Sequence, residues 1–394
     1  MAGITGLGTT YNLPNFTGEL FQIAPSDTPF LTSIGGLNGG GQVISTEFEW
    51  QTYDFAAPAQ NVQVEGAVAP TAVERVRANV TNVVEIHQSK ISVAYSKLAA
   101  YGQHAGTNTE ATNPVRSEAD WQVDKGLKQM ALDIEWSLLN GTYNKPANNS
   151  TARQTLGLTN AIVTNKTAGA GIAVTAATSA TTVITAAAHG LSVGDKVVFR
   201  AIGAATGLVT GRAYYVIAAG FTTGAFSVST LPAGAAIILG TATGISLVSN
   251  RGAAASTKAT FNNLAQIVYD AGGITDLNAA TFIVPSSQKL AISTAFSTQY
   301  YEQSRTVGGV AVSTVVTDFG VINIMLSRRL AQDTVVLASL DVCQAVFLET
   351  PGKGHVFAEP LAKVGASDDI QLYGEVGLAY GPESAHGMLT NLAF

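Results

Sequence analysis

The sequence predicts an α+β protein. Two long amphipathic helical patterns, over residues 117–141 and from 257 to about 271, stand among short strand patterns that do not alternate with them. The third observation is compositional. Residues 167–250 hold four charged side chains (Asp195, Lys196, Arg200 and Arg212) among 84 positions, and their strand-like runs are divided by Gly-rich turns. That stretch reads as a small β-sandwich or barrel inserted into a larger body.

A length of 394 residues allows two or three domains. Only 12% of residues are charged while 46% are hydrophobic, and 40 are Gly. Such a surface is short of charge for a free monomer and better suited to burial by copies of itself. The net charge of −6 is mild, and no basic run is present to read nucleic-acid sequence directly. A single cysteine, Cys343, excludes an intrachain disulfide framework. The N-terminus lacks a basic region followed by an apolar core, and no run of 18 apolar residues exists. The expectation is a protein made in a reducing cytoplasm with no membrane partner.

Residues 1 to about 45 scatter Leu13, Phe16, Leu20, Phe21, Ile23, Phe30, Leu31 and Ile34 among Gly and Pro. Only 17–23 has the pattern of a short helical turn, so this arm is expected to lie across other surfaces. Gly39, Gly40 and Gly41 read as a flexible joint. From 45 to 53 Phe48 and Trp50 alternate with Glu47, Glu49 and Gln51, the pattern of a half-buried strand. A return strand spans about 77–95. Its apolar parity changes between Val84/Ile86 and Ile91/Val93/Tyr95, which predicts a bulge near 87–90. The intervening DFAAPAQNVQVEGAVAPTAVE is too long for a tight turn and too apolar for a solvated linker. It reads as an extended two-stranded loop whose tip needs a partner, and a linker over 101–114 follows the return strand.

The pattern over 117–141 is the longest helix. Ser117 with Asp120 gives a capping-box-like start, and Asn140-Gly141 is read as an αL stop. Val123, Leu127, Met130, Ala131, Ile134 and Leu138 form one apolar stripe, while Trp121, Leu132, Trp136 and Leu139 form a second. Asp124, Lys128 and Glu135 separate the two on one side; Gln122, Gln129 and Asp133 do so on the other. A helix apolar on two faces must be covered twice. One cover is a sheet of its own domain; the other is loop of its own chain or a neighbouring subunit.

Within the insert, strand-like runs fall at 182–184, 196–200, 213–217 and 225–229. The helix from Thr257 presents Phe261, Leu264, Ala265, Ile267, Val268 and Ala271 on one face and stops at Gly272-Gly273. A buried strand at 281–284 precedes a helix opened by Pro285-Ser286 and running to about Phe296. Further strands are predicted at 310–316, 321–326, 334–338, 345–348, 369–380 and 388–392.

Chemistry-bearing constellations are missing. His87, His104, His189, His355 and His386 are scattered, with no metal-ligand spacing. Gly352-Lys353-Gly354 lacks the spacing of a phosphate loop, and no nucleophile elbow occurs. Cys343 sits in the apolar run DVCQAVFL and reads as a core thiol. Asp368 and Asp369, adjacent on a strand, face opposite ways. Arg328-Arg329 reads as a solvated turn. No catalytic, metal or cofactor-binding residue is assigned.

Three long segments carry a resemblance: TEFEWQTYDFAAPAQNVQVEGA, NVTNVVEIHQSKISVAYSK and DWQVDKGLKQMALDIEWSLLNGTYNKPANNSTARQT. With VVTDFGVINIMLSRRL and the run from DVCQAVFLETPGKGHVFAEP to GPESAHG, they resemble tailed-phage major capsid proteins, in the group typified by phage SU10. The resemblance covers roughly 1–165 and 256–394. It implies the HK97-like capsid fold, with an N-terminal arm (1–44), an extended loop or E-loop hairpin (45–100), and a peripheral domain with spine helix 117–140 (101–165). An inserted β domain (166–254) and an axial domain with return strands of the peripheral domain (255–394) complete the order. Within the insert, HGLSVGDKVVF, TGRAYYVI and FSVST are similar to small β modules of phage structural proteins and to a half-domain of ubiquitin-activating enzymes, a scaffold without implied chemistry.

The function the resemblance implies is self-assembly into the icosahedral shell enclosing a DNA genome, in the virion capsid, after assembly in the host bacterial cytoplasm. The implied partners are the chain itself, in hexamers and pentamers, a portal protein, a separate scaffolding protein, and packaged double-stranded DNA held by weak non-specific contact. Candidate subunit contacts are Phe16, Phe21 and Phe30 of the arm, Phe55, Val62, Val64 and Glu65 of the loop, and Trp121 and Trp136 of the spine. No motif licenses a Lys–Asn isopeptide weld. The rivals are a tail or adhesin subunit, which would show repeats or a stalk, and a hydrolase, which a stable monomer with a deep polar pocket would favour.

Overall fold

The computed structural model describes residues 22–23, 25–37, 39–99, 117–169, 171–178, 182–253, 255–275, 279–296, 304–307, 310–363 and 365–394. In chain order these give helix α1 (Pro29–Ser33), strands β1 (Gly41–Val43), β2 (Glu47–Tyr53), β3 (Arg77–Val83) and β4 (Glu85–Ala94), then α2 (Tyr95–Ala99), α3 (Glu118–Asn140) and α4 (Leu158–Ala161). Strand β5 (Lys166–Ala168) precedes the excursion β6 (Ile172–Thr178), β7 (Ile184–Thr185), β8 (Lys196–Ala201), β9 (Ala213–Thr222), β10 (Ala225–Ser229) and β11 (Ala242–Ser249). The chain returns through α5 (Lys258–Asp270), β12 (Ala280–Val284) and α6 (Ser286–Phe296). It closes with β13 (Ser304–Val307), β14 (Val310–Thr317), β15 (Gly320–Leu326), β16 (Val335–Ser339), β17 (Gln344–Leu348), β18 (Val356–Pro360), β19 (Ser367–Ala379) and β20 (Gly387–Thr390).

Helix α3 forms where the apolar period required it and packs on a sheet built around β19. One edge of β19 pairs with β4, from Ser367 opposite Ala94 to Val376 opposite Glu85 without a register shift. The other edge takes β18 and then β17, and β17 carries β1 in parallel. Met130, Ile134 and Leu138 are buried in the core between helix and sheet, with Val123, Leu127 and Ala131 partly buried beside them. The predicted stripe is the buried face. Gly126 lets the helix come down on the sheet, since a Cβ there would sit 2.6 Å from Leu372 Cδ1 and 3.0 Å from Ile91 Cδ1.

Three local expectations are corrected. Ser117 Oγ does accept the Asp120 amide, but Gly141 is not left-handed: its φ is −55°. Gly is needed there because a Cβ would lie 2.5 Å from both Ser137 O and Thr155 O. The break in the return strand is at Val84, not 87–90. The chain leaves β2 there to join β19, and Val84 N donates to Thr46 O at 3.0 Å while Val83 and Val84 are both buried. Gly40 is no loose joint: it approaches Ala345 so closely that a Cβ would meet its carbonyl, and β1 follows directly.

A second, seven-stranded sheet runs in the order β13-β14-β15-β12-β16-β20-β5. Helix α5 begins with a capping box between Thr257 and Thr260 and buries Phe261, Leu264, Ala265 and Val268 with Phe282, Leu337 and Leu389 of the sheet. Ile267, placed on that face by period, is partly exposed. Strand β20 belongs here rather than to the sheet under α3, and β17 belongs under α3. A strand joins whichever edge its register and apolar parity complete, which periodicity alone cannot specify.

The excursion closes into a barrel in the order β10-β7-β6-β11-β8-β9. Its interior is packed with Phe199, Tyr214, Phe226, Val228, Ile245 and Leu247 among others. The barrel starts at β6, not at residue 166, because β5 pairs with β20 of the body. It enters and leaves at one place: Ile172 sits opposite Ser249. Arg200 ties it to the body through Asp333, buried, at 2.6 Å, and Lys196 Nζ donates to Phe394 O at 3.2 Å.

Candidate assembly surfaces

The first open surface is the excursion between β2 and β3. Its root is fixed. The ladder runs from Glu47 opposite Val83 to Tyr53 opposite Arg77, and the Trp50 indole donates to Gly381 O at 2.9 Å with its ring edge-on to Tyr380. Asn82, fully buried, donates to Leu378 O at 2.8 Å and to Leu156 O at 3.2 Å, and accepts the Leu156 amide at 2.9 Å. Beside it, Glu85 takes bonds from Ser137 Oγ (2.6 Å) and Thr155 N (3.0 Å) with His87 at 3.1 Å. Burial alone would raise its pKa, but the bonds from His87 and Ser137 outweigh this and hold it below the ordinary value.

Beyond Tyr53 and Arg77 the ladder stops. Residues 54–76 have no strand pairing, only a turn at Glu65-Gly66, which corrects the two-stranded expectation for that portion. Phe55, Val62, Val64, Val68, Val73 and Val76 are each at least 70% exposed. Full burial of a Val or Phe side chain is worth about 1.5–3 kcal/mol, so this segment carries unspent apolar surface along its whole length. Phe55, Val62, Val64 and Glu65, the contact candidates of this loop, are thus open to a neighbour.

The second surface is the outer side of α3. Here the predicted Trp121/Leu132/Trp136/Leu139 face divides. Leu139 is buried in the chain's own core, so it is not part of an external face. Trp121 is half-buried beneath Lys125, whose Nζ lies 5.7 Å from the ring. Trp136 is 43% exposed and lines a cleft of about 390 Å³ with Asn140, Asn160, Arg200, Thr210 and Arg329, where the barrel meets the spine.

The arm also meets this helix, through a residue the sequence reading took for a polar separator. Glu135 is fully buried, and its carboxylate accepts the amides of Leu31 (2.6 Å) and Phe30 (3.2 Å). Thr28 offers α1 no side-chain cap, so a glutamate distant in sequence satisfies the orphan amides. Burial pushes Glu135 up to about 7, against the pull of those two amides and of Arg329 and with a further push from Asp27. Phe30 is itself buried in the core, which corrects its reading as a contact: its side chain has no surface left for a neighbour. Phe16 and Phe21 lie outside the described residues, as does the 101–114 linker. The 17–23 turn is described only at Gln22 and Ile23, neither of them helical. No local signal in sequence separates Glu135 from the exposed acids on the same helix.

Cys343 is buried, and desolvation raises its thiol pKa, which suits a core position. Asp369 lies against Lys90 (2.7 Å) and Ser92 (2.6 Å), whereas Asp368 pairs with Lys363 on the other face of the strand. Among the described residues no group of three or more His, Cys, Asp or Glu is placed to hold a metal ion. None of their helices is long and apolar enough to cross a membrane.

A spine helix over a sheet, a second sheet with its own helices, and a projecting loop and arm define a class: the shell-building proteins of HK97-like fold. The chain is similar to the SrpI encapsulin of Synechococcus elongatus PCC 7942, with a TM-score of 0.52 and 10% identity over 96% of this chain and 93% of that one. It is equally similar to a chain of the Cyanophage A-1(L) capsid asymmetric unit, with a TM-score of 0.51 and 11% identity over 96% of each. No curated protein matches the sequence. The SU10 major capsid protein family matches residues 3–393, so the chain belongs to that family. It is a major capsid protein of a tailed phage, its role is structural, and it self-assembles into the multimeric shell of the virion.

Proposed function

We propose that the chain tiles its shell as hexamers and pentamers by laying residues 54–76 of one copy across the next. The observation that carries this is the exposed apolar row Phe55, Val62, Val64, Val68, Val73 and Val76 on a segment with no ladder, projecting from a rigid root. Such a segment gains burial only from another surface, and copies of this chain supply one in every direction of a lattice. Glu65 stands at its turn, and Trp121 and Trp136 are candidate receiving positions on the spine.

In this reading the chain divides into arm (1–44), extended loop (45–100), peripheral domain (101–165), insert (166–254) and axial domain with return strands (255–394). The insert's own fold begins at β6. A scaffolding protein guides assembly in the host bacterial cytoplasm, a portal occupies one vertex, and packaged double-stranded DNA meets the inner surface through weak contacts, consistent with the mildly acidic balance. Removing residues 57–70 tests the reading. The expected result is a folded, soluble subunit that forms no shells by sedimentation and electron microscopy. Normal particles from that deletion would remove the idea.

A further inference from the structure

The cleft between barrel and spine is lined by cations and by no anion. Arg200 reaches it from β8 and Arg329 from the connection between β15 and β16, while among the described residues no Asp or Glu lines it. Arg200 gives one nitrogen to Asp333 at 2.6 Å, yet its Nε is buried with no hydrogen-bond partner. Arg329 is barer still. Its Nε is also buried without a partner, and its side chain makes no ion pair among the described residues. Glu135 feels its charge but spends its two carboxylate oxygens on the Leu31 and Phe30 amides. A guanidinium nitrogen buried without an acceptor is costly, and an oxyanion is the group that relieves it.

The walls of the cleft are set beforehand. Gln332 N donates to Gly211 O at 3.2 Å across the seam between barrel and body. Asn140 Nδ2 donates to Arg329 O and Asn160 Nδ2 to Asn140 O, each at 2.9 Å. Beside the guanidinium groups Trp136 keeps an open ring. A fitting occupant therefore brings an oxyanion with apolar surface next to it.

The segment 54–76 carries that combination. Between Phe55 and Val73 its only charged residue is Glu65. Glu65 stands at the turn with Gly66, exposed, and Val62, Val64 and Val68 around it are exposed too. Ala67 N donates to Val64 O at 3.1 Å, so the turn is closed by its own backbone. The eleven residues from Asp54 to Val64 span roughly 36 Å when extended, enough to cross onto a neighbour. A phosphate would answer the guanidinium groups and leave both Trp136 and the valines uncovered. The Glu65 turn answers both.

We infer that the Glu65 turn of one copy seats in this cleft of the next, its carboxylate on Arg329 and its valines against Trp136. The inference rests on the shell-forming reading and names the receiving site for residues 54–76.

Cross-linking tests the seat. Glu65→Cys is combined with Thr210→Cys, on the cleft wall, and assembled shells are oxidised. The expected result is a ladder of linked copies on a non-reducing gel, absent from dissociated subunits; the native Cys343 is buried. Glu65→Cys with Val193→Cys, exposed in the connection before β8, is the control and should give no ladder. Shells without the Thr210 ladder, or with an equal ladder in the control, overturn the inference.

A double-mutant cycle is the second measurement. Glu65→Gln and Arg329→Gln should each lower the urea midpoint of shell dissociation, and the doubly substituted chain should fall no further than either alone. Urea midpoints of the dissociated subunits, run in parallel, separate any effect on folding. Additive losses overturn the pairing. A loss from Arg329→Gln confined to DNA-filled particles overturns it too, by giving the cleft to a phosphate. Shells that form normally without residues 57–70 would instead sink the reading on which the inference rests.

Discussion

Two excursions leave the body of this protein and they solve opposite problems. Residues 54–76 are rooted by Trp50 and Asn82 but bury none of their own apolar side chains. Residues 172–249 close into a barrel with a complete interior and touch the body through a few polar ties. The sequences forecast the difference. The loop has isolated valines spaced by Gln, Glu, Ala and Pro, too sparse to face one another, whereas the barrel has alternating apolar runs with Gly turns that return each strand to its neighbour. Burial in the loop must come from outside; burial in the barrel is already made.

That contrast can be broken by deletion. If the loop deletion abolishes shells while leaving the subunit folded, the mirror experiment is to excise 172–249 and bridge the gap with a short Gly/Ser linker. Because Ile172 lies opposite Ser249, the body should keep its spine and both sheets, with circular dichroism showing a cooperative melt of the remainder. A body that collapses without the barrel would show that the Arg200–Asp333 tie is structural for both parts.

Smaller changes sharpen the same comparison. Phe226→Ala empties the barrel interior, where His189 packs edge-on at 5.1 Å, and should cost about 3–5 kcal/mol. Hydrogen exchange is expected to show the loss confined to 172–249. Asn82→Ala strips Leu156 N and Leu378 O of their partners at the loop root and should cost about 2–3 kcal/mol, read from urea midpoints of the subunit. Unlike the barrel substitution, it should also loosen β2 and β3 in exchange.

The last expected effect is pH-dependent. Glu135 rises from 4.5 to about 7 on folding, so the fold holds its proton more tightly than the unfolded chain does. Its contribution is fully present below pH 4.5 and is lost as the pH climbs through 7. His386, pushed below its ordinary value by burial, gives the opposite slope near its unfolded pKa. The difference between wild type and Glu135→Gln isolates the glutamate: the wild type should lose more stability than the variant between pH 5 and pH 8. Parallel urea midpoints at the two pH values would show that Glu135 does not titrate there.

Local chemistry was legible wherever a pattern closes on itself. The spine stripe from Val123 to Leu138, the Ser117 cap and the strand from Ala225 to Ser229 follow from period and capping, because each needs only residues within a few turns. The exposed loop was legible for the same reason: too little apolar surface lies close enough in sequence to cover it. Other features depend on residues that only the fold brings together. Glu135 looks like any helix-surface acid until α1 brings the Phe30 and Leu31 amides onto it. Val84 became the branch point only because β19 offered a second edge to β4. Gly141 is required by close approach alone, and Gly40 both by close approach to Ala345 and by its positive φ of 89°. The sequence by itself determined the long helices, most of the strands of the body, which helix face is apolar, and which excursion leaves its own apolar side chains uncovered. Tertiary structure decided which edge each strand joins and which polar groups go inside, because pairing and burial are set by groups that only the fold brings together.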